Sequence, residues 1–494
     1  MNAPEIIRWL SRSLPAALLG LASLAATAGT VAPPAPYGPV PTAAQLAWHR
    51  MEFYGFLHFG MNTFTDREWG YGDESPSLFN PTDFDADQIA SVAADAGMKG
   101  LVLVCKHHDG FCLWPTKTTE HSVRASPWRD GKGDVVREIA DACRQYGLKF
   151  GVYVSPWDRN SGLYGTPQYL DLYREQLREL LTGYGEVFIV WHDGANRGRG
   201  YYGGAKELRQ VDPATYYEWP VTWELIHRLQ PMSVIFSDVG PDVRWGGNEK
   251  GQGADPCWYT FKTEGHYPGA PPWPSLIYGD RDGEKWIPPE CPVSIRPGWF
   301  YHPRHDSKVK SAEELVDLYF NSVGQGACLN LNIPPDTRGR IHERDVESLR
   351  GMRRILDATF AEDLAREARI TASNTRGNSK EFGPECLVDG DRGTYWATDD
   401  GVTEAEVVLD FGKPVTFSVV RLREFLPLGQ RVEGFALDYW EEGQWREFCS
   451  GQTIGNQRLV RSKAVTSERL RLRITESSAD LALSEVEAFL EHRM

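Results

Sequence analysis

From about residue 50 onward, short apolar runs alternate with longer amphipathic runs, and this alternation constrains the fold of the 494-residue chain more than any other feature. The short runs are apolar on both faces, as in parallel strands covered on two sides, and the longer runs have helical periodicity. Strands joined through helices predict an α/β domain, here a (β/α)8-type barrel. The predicted strands are 53–57, 100–104, 149–154, 187–191, 233–236 and 327–333, and the predicted helices are 85–97, 134–146, 168–182, 222–229, 312–323 and 342–361.

Polar residues stand at the carboxyl end of almost every predicted strand. They are His58, then Lys106, His107 and His108, then Trp157 and Asp158, then His192 and Asp193, then Asp238, then Asn330 and Asn332. Helix capping accounts for single Asp or Asn residues but not for adjacent imidazoles. In a barrel these strand ends converge, so we expect the functional site there. The Gly-, Pro- and Trp-rich stretch 197–303 is expected to form irregular functional loops.

The imidazoles of His58, His107 and His108 invite a metal interpretation. Adjacent residues of a strand point to opposite sides, however, so a strand would separate His107 from His108. The chain also has no His-Glu-x-x-His helix. Neutral imidazoles that hydrogen-bond to sugar hydroxyls account for the same residues, and we expect no metal or other cofactor in the chemistry. The 17 Trp, 20 Tyr and 21 Phe suit sugar rings equally well, although an aromatic-rich core explains them too.

Two acidic residues stand where glycoside hydrolysis would need them. Asp193 follows a predicted barrel strand, and Glu249 lies in the Gly- and Trp-containing run 244–249. One carboxylate attacks the anomeric carbon and a second carboxyl protonates the leaving oxygen, so their pKa values must differ. Among 68 Asp and Glu residues, spacing alone does not select this pair.

Several motifs between residues 47 and 360 carry a family resemblance. They are Trp48-His-Arg-Met-Glu52, Gly55-Phe-Leu-His-Phe-Gly60, Lys106-His-His-Asp-Gly-Phe111, Tyr153 with Ser155-Pro-Trp-Asp158, and Trp191-His-Asp-Gly194. With them the domain resembles the α-L-fucosidases of glycoside hydrolase family 29. The resemblance implies a retaining exo-glycosidase that removes terminal α-L-fucose from glycans through a fucosyl-enzyme on Asp193. It also implies a substrate pocket formed by His58, Glu68, Trp69, His107, His108 and Tyr153, and Trp157 at its strand end is a further substrate-binding candidate.

The loop motifs resemble one subfamily, which is selective for α-1,3- and α-1,4-linked fucose. These motifs are 200–204 and 245–249, and in that subfamily the residue matching Glu249 is the acid/base. The run 294–300 resembles a pocket wall, which makes Arg296 and Trp299 substrate-binding candidates. One departure is His192, which stands where the family usually has Phe and bears on the pKa of the nucleophile. Nearby acidic residues leave the acid/base assignment open to Glu264, Glu284 and Glu290.

Two other functions stay open from the sequence. An α-L-galactosidase would use the same mechanism on a sugar that differs by one hydroxyl, which an apolar pocket discriminates only modestly. A glycan-binding protein without catalysis is the second, although binding alone does not require two poised carboxylates.

Beyond residue 363 the pattern changes to short strands, predicted at 407–411, 419–423, 434–439 and 470–474, so 47–362 is the expected catalytic domain and 363–494 an all-β domain. The runs 372–373, 387–391, 394–396 and 484–487 resemble a discoidin-like module, similar to family 32 carbohydrate-binding modules. That resemblance implies a jelly-roll sandwich, sometimes with a structural calcium, and leaves sugar binding open. We expect a chain ending near Ala361 to keep activity on small substrates.

The N-terminus predicts export. Residues 1–28 have the basic start, short apolar run and small-residue end of a signal peptide, with an uncleaved anchor as the alternative, and 29–46 is the expected linker. No later run is long and apolar enough to span a membrane. The predicted location is periplasmic or secreted, and the net charge of -15 disfavours nucleic acid as a partner. None of the eight cysteines forms a Cys-x-x-Cys pair, and the disulfide pattern stays open from the sequence. The sequence does not determine the oligomeric state either.

Overall fold

The computed structural model describes residues 31–269 and 274–492, and its first domain is a closed barrel of eight parallel strands. Neighbouring strands follow one another in chain order, and the last pairs with the first. The barrel strands are β1 (Phe53–Leu57), β2 (Gly100–Lys106), β3 (Lys149–Val154), β4 (Ile189–Trp191), β5 (Val234–Ser237), β6 (Val243–Trp245), β7 (Pro289–Ser294) and β8 (Cys328–Asn332). The predicted barrel is therefore confirmed.

Residue alternation along β1 shows how the barrel fills itself. Tyr54 and Phe56 point inward and pack with side chains such as Val102 of β2, whereas Phe53 and Leu57 pack outward beneath the helices. Because successive side chains of a strand face opposite sides, each apolar strand supplies both an inner and an outer core.

Helices surround the barrel, and polar caps begin several of them. Asp85 and Asp134 accept backbone N–H bonds at the starts of α3 and α4, and Ser311 forms a capping box with Glu314 at the start of α8. Within the described residues the α-helices are α1 (Ala43–His49), α2 (Met61–Thr65), α3 (Ala86–Asp95), α4 (Val135–Gln145), α5 (Pro167–Gly183), α6 (Trp219–Leu229), α7 (Pro274–Tyr278), α8 (Ala312–Ser322) and α9 (Glu343–Thr359).

The stretch 197–303 is more ordered than expected. Besides the helix and the strand predicted at 222–229 and 233–236, it contains the barrel strands β6 and β7 and two antiparallel strand pairs, Arg197–Gly200 with Glu207–Gln210 and Thr260–Phe261 with Lys285–Trp286. The strand β6 was not predicted because it has only three residues. In addition, β7 contains two prolines and a glutamate, which are residues that argue against a strand.

The N-terminal part of the described chain lies against the C-terminal domain. The predicted signal peptide falls outside the described residues, and α1 begins inside the segment expected as a linker. Before that helix, the Tyr37 N–H donates to the Leu428 carbonyl (2.9 Å), and Arg431 donates to the Ala35 carbonyl (2.5 Å). No helix of the described residues is long and apolar enough to cross a membrane.

The C-terminal domain is all-β and antiparallel, as predicted. Its strands are β9 (Arg369–Ala372), β10 (Trp396–Ala397), β11 (Ala405–Glu424), β12 (Val432–Glu441), β13 (Gln444–Gly451), β14 (Arg458–Ser477) and β15 (Ala482–Phe489). The order is β10-β15-β11-β14-β12-β13, with β9 paired to β11. Trp396 is fully buried in its own core, together with apolar residues such as Leu422 and Leu472.

The two domains share a continuous interface. Val419, Leu459 and Phe489 of the C-terminal domain belong to the outer core of the barrel. Beside them, the partly buried Glu52 accepts hydrogen bonds from Arg392 (3.1 Å) and Arg423 (2.8 Å). A polar network and shared apolar packing therefore hold the two domains together.

Candidate active site

A cavity of about 280 Å³ opens at the carboxyl ends of the barrel strands. Its lining is aromatic and carboxylic, with three imidazoles. The lining residues are Phe56, His58, Trp69, His107, His108, Tyr153, Trp191, Asp193, Gly194, Phe236, Asp238, Trp245, Glu249, Gly269, Pro292 and Trp299. Eight of the eleven residues selected from the sequence therefore meet in one place.

Asp193 lies two residues beyond β4 and is held by two hydrogen bonds. The Tyr153 hydroxyl donates to its Oδ2 (3.1 Å), and the Ala195 N–H donates to its Oδ1 (2.7 Å). The next residue must be small, because a Cβ on Gly194 would lie 2.3 Å from Oδ2 of Asp238. The run Trp-His-Asp-Gly thus fixes the Asp193 carboxylate at the cavity wall while letting a second carboxyl pack behind it.

His192 faces away from the cavity. It is fully buried among the surrounding helices, where its Nδ1 lies 2.8 Å from the Tyr173 hydroxyl and its ring packs against Trp219. Burial lowers the pKa of His192 to about 3, so the ring is neutral. An uncharged imidazole pointing outward brings no positive charge to Asp193.

Glu249 stands exposed at the rim, beyond the end of β6. Its Oε2 accepts a hydrogen bond from the indole Nε1 of Trp299 (3.3 Å). Partial burial raises the pKa of the Glu249 carboxyl, and the negative charges of Asp193 and Glu68 add to that effect against the opposing hydrogen bond. Its environment therefore favours a protonated carboxyl.

Glu68 supports one wall rather than lining the cavity. Its Oε2 accepts the Trp299 backbone N–H (2.8 Å), and its Oε1 lies 2.6 Å from Nε2 of His302. The Trp299 carbonyl in turn accepts from the side-chain amide of Asn332 (2.7 Å). This network fixes the indole that bonds Glu249.

The hydrogen-bond partners of His58 and His108 define their tautomers. Asn332 donates through its amide nitrogen elsewhere, so its Oδ1 accepts from Nδ1 of His58 (2.8 Å). Ser155 donates to the Trp157 carbonyl, so its hydroxyl oxygen accepts from Nδ1 of His108 (2.7 Å). Burial lowers the pKa of His58 to about 3 and of His108 to about 4. Both rings are neutral and leave Nε2 as a hydrogen-bond acceptor.

His107 has the opposite tautomer. The Asn62 amide donates both to Nδ1 of His107 (3.2 Å) and to the Glu68 carbonyl (3.1 Å), which leaves Nε2 of His107 as a donor. Burial lowers the pKa of His107 well below its ordinary value. The expectation that His107 and His108 face opposite sides was wrong, because β2 ends at Lys106 and the two rings lie side by side, 4.0 Å apart.

Trp69 and Trp157 form an edge-to-face pair beside His108, and only Trp69 reaches the cavity. Trp69 is 56% exposed and meets Trp157 edge-on at 5.6 Å. Trp157 is buried, and its Nε1 donates to the Tyr202 hydroxyl (2.9 Å). Trp157 thus lies beneath the surface that a ligand would touch.

Arg296 lies outside the cavity, contrary to its selection as a substrate-binding candidate. Its fully buried guanidinium pairs with Asp345 (2.9 Å) and Asp306 (2.8 Å), and it packs over the Tyr301 ring. A run that contains one pocket residue, Trp299, also contains this ion-paired residue of the interior.

The family model for α-L-fucosidase matches residues 37–359, which is more than half of the chain. The chain belongs to the α-L-fucosidase family. A second model, for the F5/8 type C domain, matches residues 369–486 of this fucosidase. Alpha-L-fucosidase 1 of Arabidopsis thaliana is 40% identical over 480 residues, which cover 96% of this chain and 92% of that protein.

Solved structures resemble the fucosidase over both domains. A glycoside hydrolase 29 family member from an unknown rumen bacterium is 42% identical with a TM-score of 0.83, covering 93% of this chain and 78% of the other. A Ruminococcus gnavus GH29 fucosidase in complex with fucose is 31% identical with a TM-score of 0.86, covering 94% and 98%.

Several cavity residues of the fucosidase were not selected from its sequence. They are Phe56, Trp191, Phe236, Trp245 and Pro292, with the glycines 194 and 269, whereas Asp238 was singled out only as a polar strand-end residue without a role. Phe236 stacks on Trp191 at 4.0 Å and continues the inward-facing strand positions below the mouth. The inward alternation of β1 and β5 was a usable signal for Phe56 and Phe236, whereas Pro292 lay in a strand that was not recognised.

The alternative acid/base candidates of the fucosidase lie outside the cavity lining. Glu290 is fully buried beneath it, where Trp191 (2.9 Å), Asn330 (3.0 Å) and Tyr54 donate to its carboxyl. Burial raises the pKa of Glu290 to about 7. Glu284 accepts hydrogen bonds from Thr263 at the surface, and Glu264 is also absent from the lining. None of the three faces the space that a substrate would occupy.

The described residues contain no group of three or more His, Cys, Asp or Glu side chains that could hold a metal ion. All eight cysteines are free thiols, and seven of them are buried.

Proposed function

We propose that the chain is a retaining exo-α-L-fucosidase with Asp193 as nucleophile and Glu249 as acid/base. The observation that carries the proposal is the pairing of these carboxyl groups in one cavity of about 280 Å³. Asp193 accepts two hydrogen bonds at the wall, and Glu249 has a raised pKa at the rim. Carboxyl groups in environments this different are what glycoside hydrolysis with two roles requires.

In the first step, a carboxylate oxygen of Asp193 bonds to the anomeric carbon. The bond from that carbon to the glycosidic oxygen breaks, and the oxygen keeps the electron pair and takes the Glu249 proton. In the second step, the Glu249 carboxylate takes a proton from water, the water oxygen attacks the anomeric carbon, and Asp193 leaves. Retaining enzymes hold the two carboxyl groups about 5–5.5 Å apart, which is our expectation for the fucose complex.

Asp238 is the third carboxyl of the cavity and the strongest competitor for the acid role. Burial raises its pKa to about 7, and the charge of Asp193 adds to that. However, its Oδ2 already accepts the Gly269 N–H (2.7 Å) and packs against Gly194, behind Asp193. Glu249 at the open rim is better placed for the glycosidic oxygen of a glycan that extends outward.

Terminal fucose fits the chemistry of the cavity wall. The lining contains three neutral imidazoles, of which two offer a hydrogen-bond acceptor and one offers a donor. It also contains apolar groups such as Phe56, Trp191 and Phe236. Fucose carries a methyl group where galactose has a hydroxymethyl group, and apolar walls favour the former modestly. The related R. gnavus fucosidase was solved in complex with fucose, which supports the same ligand here.

We propose α-1,3- and α-1,4-linked fucose as the preferred linkages, because the loop motifs 200–204 and 245–249 resemble that subfamily. We also propose export to the periplasm or outside the cell, on the signal-like residues 1–28. Catalysis needs no cofactor in this proposal, because Asp193 supplies the nucleophile and Glu249 supplies both proton transfers.

The proposal is tested by hydrolysis of Lewis a and Lewis x trisaccharides, a 2'-fucosylated glycan, aryl α-L-fucoside and aryl α-L-galactoside, with Asp193→Ala as the blank. We expect fucose release from the Lewis sugars and the aryl fucoside, and poor release from the 2'-linked glycan. Faster turnover of the aryl α-L-galactoside than of the aryl α-L-fucoside would show that α-L-galactose is the preferred sugar. Release from the 2'-fucosyl glycan without release from Lewis sugars would overturn the linkage.

A further inference from the structure

The segment that carries Glu249 is a turn stabilised by its own hydrogen bonds. Residues 246–259, here called the Glu249 loop, follow β6 directly. The side chain of Asn248 accepts from the Lys250 N–H (3.0 Å) and donates to the carbonyls of Gly246 (3.1 Å) and Gln252 (2.8 Å). Because these hydrogen bonds make the turn a single rigid segment, the position of Glu249 depends on the contacts at the two ends of the loop.

The first end is held by β6 itself. Trp245 donates from its indole to the Asn248 carbonyl (3.0 Å). The fully buried guanidinium of Arg244 donates to the carbonyls of Trp258 (3.0 Å), Leu276 (3.2 Å) and Ile287. Arg244 therefore connects the strand before Glu249 with the far end of the same loop.

The far end is held by the C-terminal domain. The Cys257 N–H donates to the Thr453 hydroxyl (2.8 Å). The Gln430 amide accepts from the Tyr259 N–H (2.9 Å) and donates to the Cys257 carbonyl (2.9 Å), as a neighbouring strand would. Asp255 forms an ion pair with Arg458. Three residues of the second domain thus hold the loop that carries the proposed acid.

Burial makes these contacts hard to replace with water. Gln430, Thr453, Cys257 and Tyr259 are all buried. Removing one partner of a buried hydrogen bond leaves the other unsatisfied, which costs more than the bond contributes. The loop would then shift to recover partners, and a general acid displaced by about 1 Å loses much of its effect.

We infer that the C-terminal domain positions the acid/base, with Gln430 and Thr453 as positioning residues that act on Glu249 through the far end of its loop. The inference rests on the proposed role of Glu249. It assigns the second domain a part in proton transfer to the leaving group, without placing any of its residues in the cavity.

The test is a series of aryl α-L-fucosides whose leaving groups range from strongly to weakly acidic phenols. Good leaving groups need little protonation, so a misplaced acid lowers kcat/KM for poor leaving groups only. Gln430→Leu and Thr453→Val should lower kcat/KM about tenfold for the poorest leaving group and within about twofold for the best. Thr453→Ser keeps the hydroxyl acceptor and should restore the wild-type slope, and it remains informative if Thr453→Val folds poorly.

The matched control is Arg392→Met. It also removes two hydrogen bonds, one across the domain interface to Glu52 and one within the C-terminal domain to Asn456, and neither partner lies in the Glu249 loop. It should lower Tm comparably and leave the slope against leaving-group pKa unchanged. Slopes for Gln430→Leu and Thr453→Val that are parallel to wild type would overturn the inference.

Glu249→Gln in the same series separates this inference from the proposed function. If Glu249→Gln steepens the slope and the two domain variants do not, the positioning role fails and the acid assignment stands. If Glu249→Gln leaves the slope unchanged, Glu249 is not the acid, and the inference falls with it.

Discussion

The hydroxyl of Tyr153 donates a hydrogen bond to Oδ2 of Asp193 across 3.1 Å. The Tyr153 ring lies near-parallel to the rings of His107 and Trp191, which fixes the direction of that donor. Burial raises the pKa of the phenol well above its ordinary value, so the group stays protonated wherever the protein is folded. Asp193 is thus oriented toward the cavity by a donor that cannot rotate away.

Tyr153→Phe removes this donor with little change in shape. Hydrogen bonds to charged groups contribute about 1.5–3 kcal/mol, so kcat should fall roughly 10- to 100-fold. KM for an aryl fucoside should change little, since the bond orients the nucleophile rather than the sugar. Steady-state kinetics measure both constants. An unchanged kcat would mean that Asp193 keeps its orientation without Tyr153.

The basic limb of the pH profile should report Glu249. Its pKa is raised, and the acid is active while protonated, so kcat/KM should fall as the pH rises through that value. Glu249→Gln should abolish the limb, measured with an aryl fucoside whose leaving group is poor enough to need the acid. Asp238, with a pKa of about 7, is the group that could produce a similar limb. Asp238→Asn should leave the limb in place, and its loss in that variant would transfer the acid role to Asp238.

Glu290 should make the stability of the fold pH-dependent. Burial raises its pKa from 4.5 to about 7, so the folded state binds a proton that the unfolded state has lost between those values. The stability from Glu290 is therefore complete below about pH 4.5 and is lost as the pH rises through about 7. Glu290→Gln, a neutral side chain of the same shape, should flatten the fall of Tm between pH 5 and pH 8. A fall as steep as that of wild type would refute this role.

The barrel alone should be unstable, in reversal of the expectation drawn from the sequence. A chain ending near Ala361 loses Val419, Leu459 and Phe489 from the outer core of the barrel and leaves Glu52 without its two arginines. We expect a lower Tm or insoluble protein, measured by circular dichroism after purification. A soluble barrel with the Tm and activity of the full chain would contradict the shared interface.

The strands that sequence pattern located best were the apolar ones, because burial on both faces leaves a run of Val, Ile, Leu and Phe. The strand 149–154 was predicted with its observed bounds. By contrast, β6 and β7 contain Arg244, Glu290 and two prolines, and only tertiary contacts make these residues suitable. Arg244 satisfies three carbonyls and Glu290 accepts three donors, none of which is visible in a local pattern.

The candidate site was predictable where the signal was a motif and less so where it depended on direction. The strand-end motifs, together with the loop runs and the family resemblance, selected eight residues that line the cavity. The prediction that Arg296 binds substrate was wrong because a motif position does not show whether a side chain points into the pocket or into an ion pair behind it. The predicted orientation of His107 and His108 was wrong because side chains alternate only inside a strand, and β2 ends before these two residues.

The central claim, that Asp193 is the nucleophile and Glu249 the acid/base, is tested most directly by the configuration of azide products. In Glu249→Ala, azide should attack the fucosyl-enzyme, and two inversions give the α-fucosyl azide. Asp193→Ala should be roughly a thousandfold or more slower, and azide attacking the α-fucoside directly gives the β-azide by one inversion. Proton NMR of the anomeric signal separates the two products. A β-azide from Glu249→Ala, or an α-azide from Asp193→Ala, would contradict the assignment.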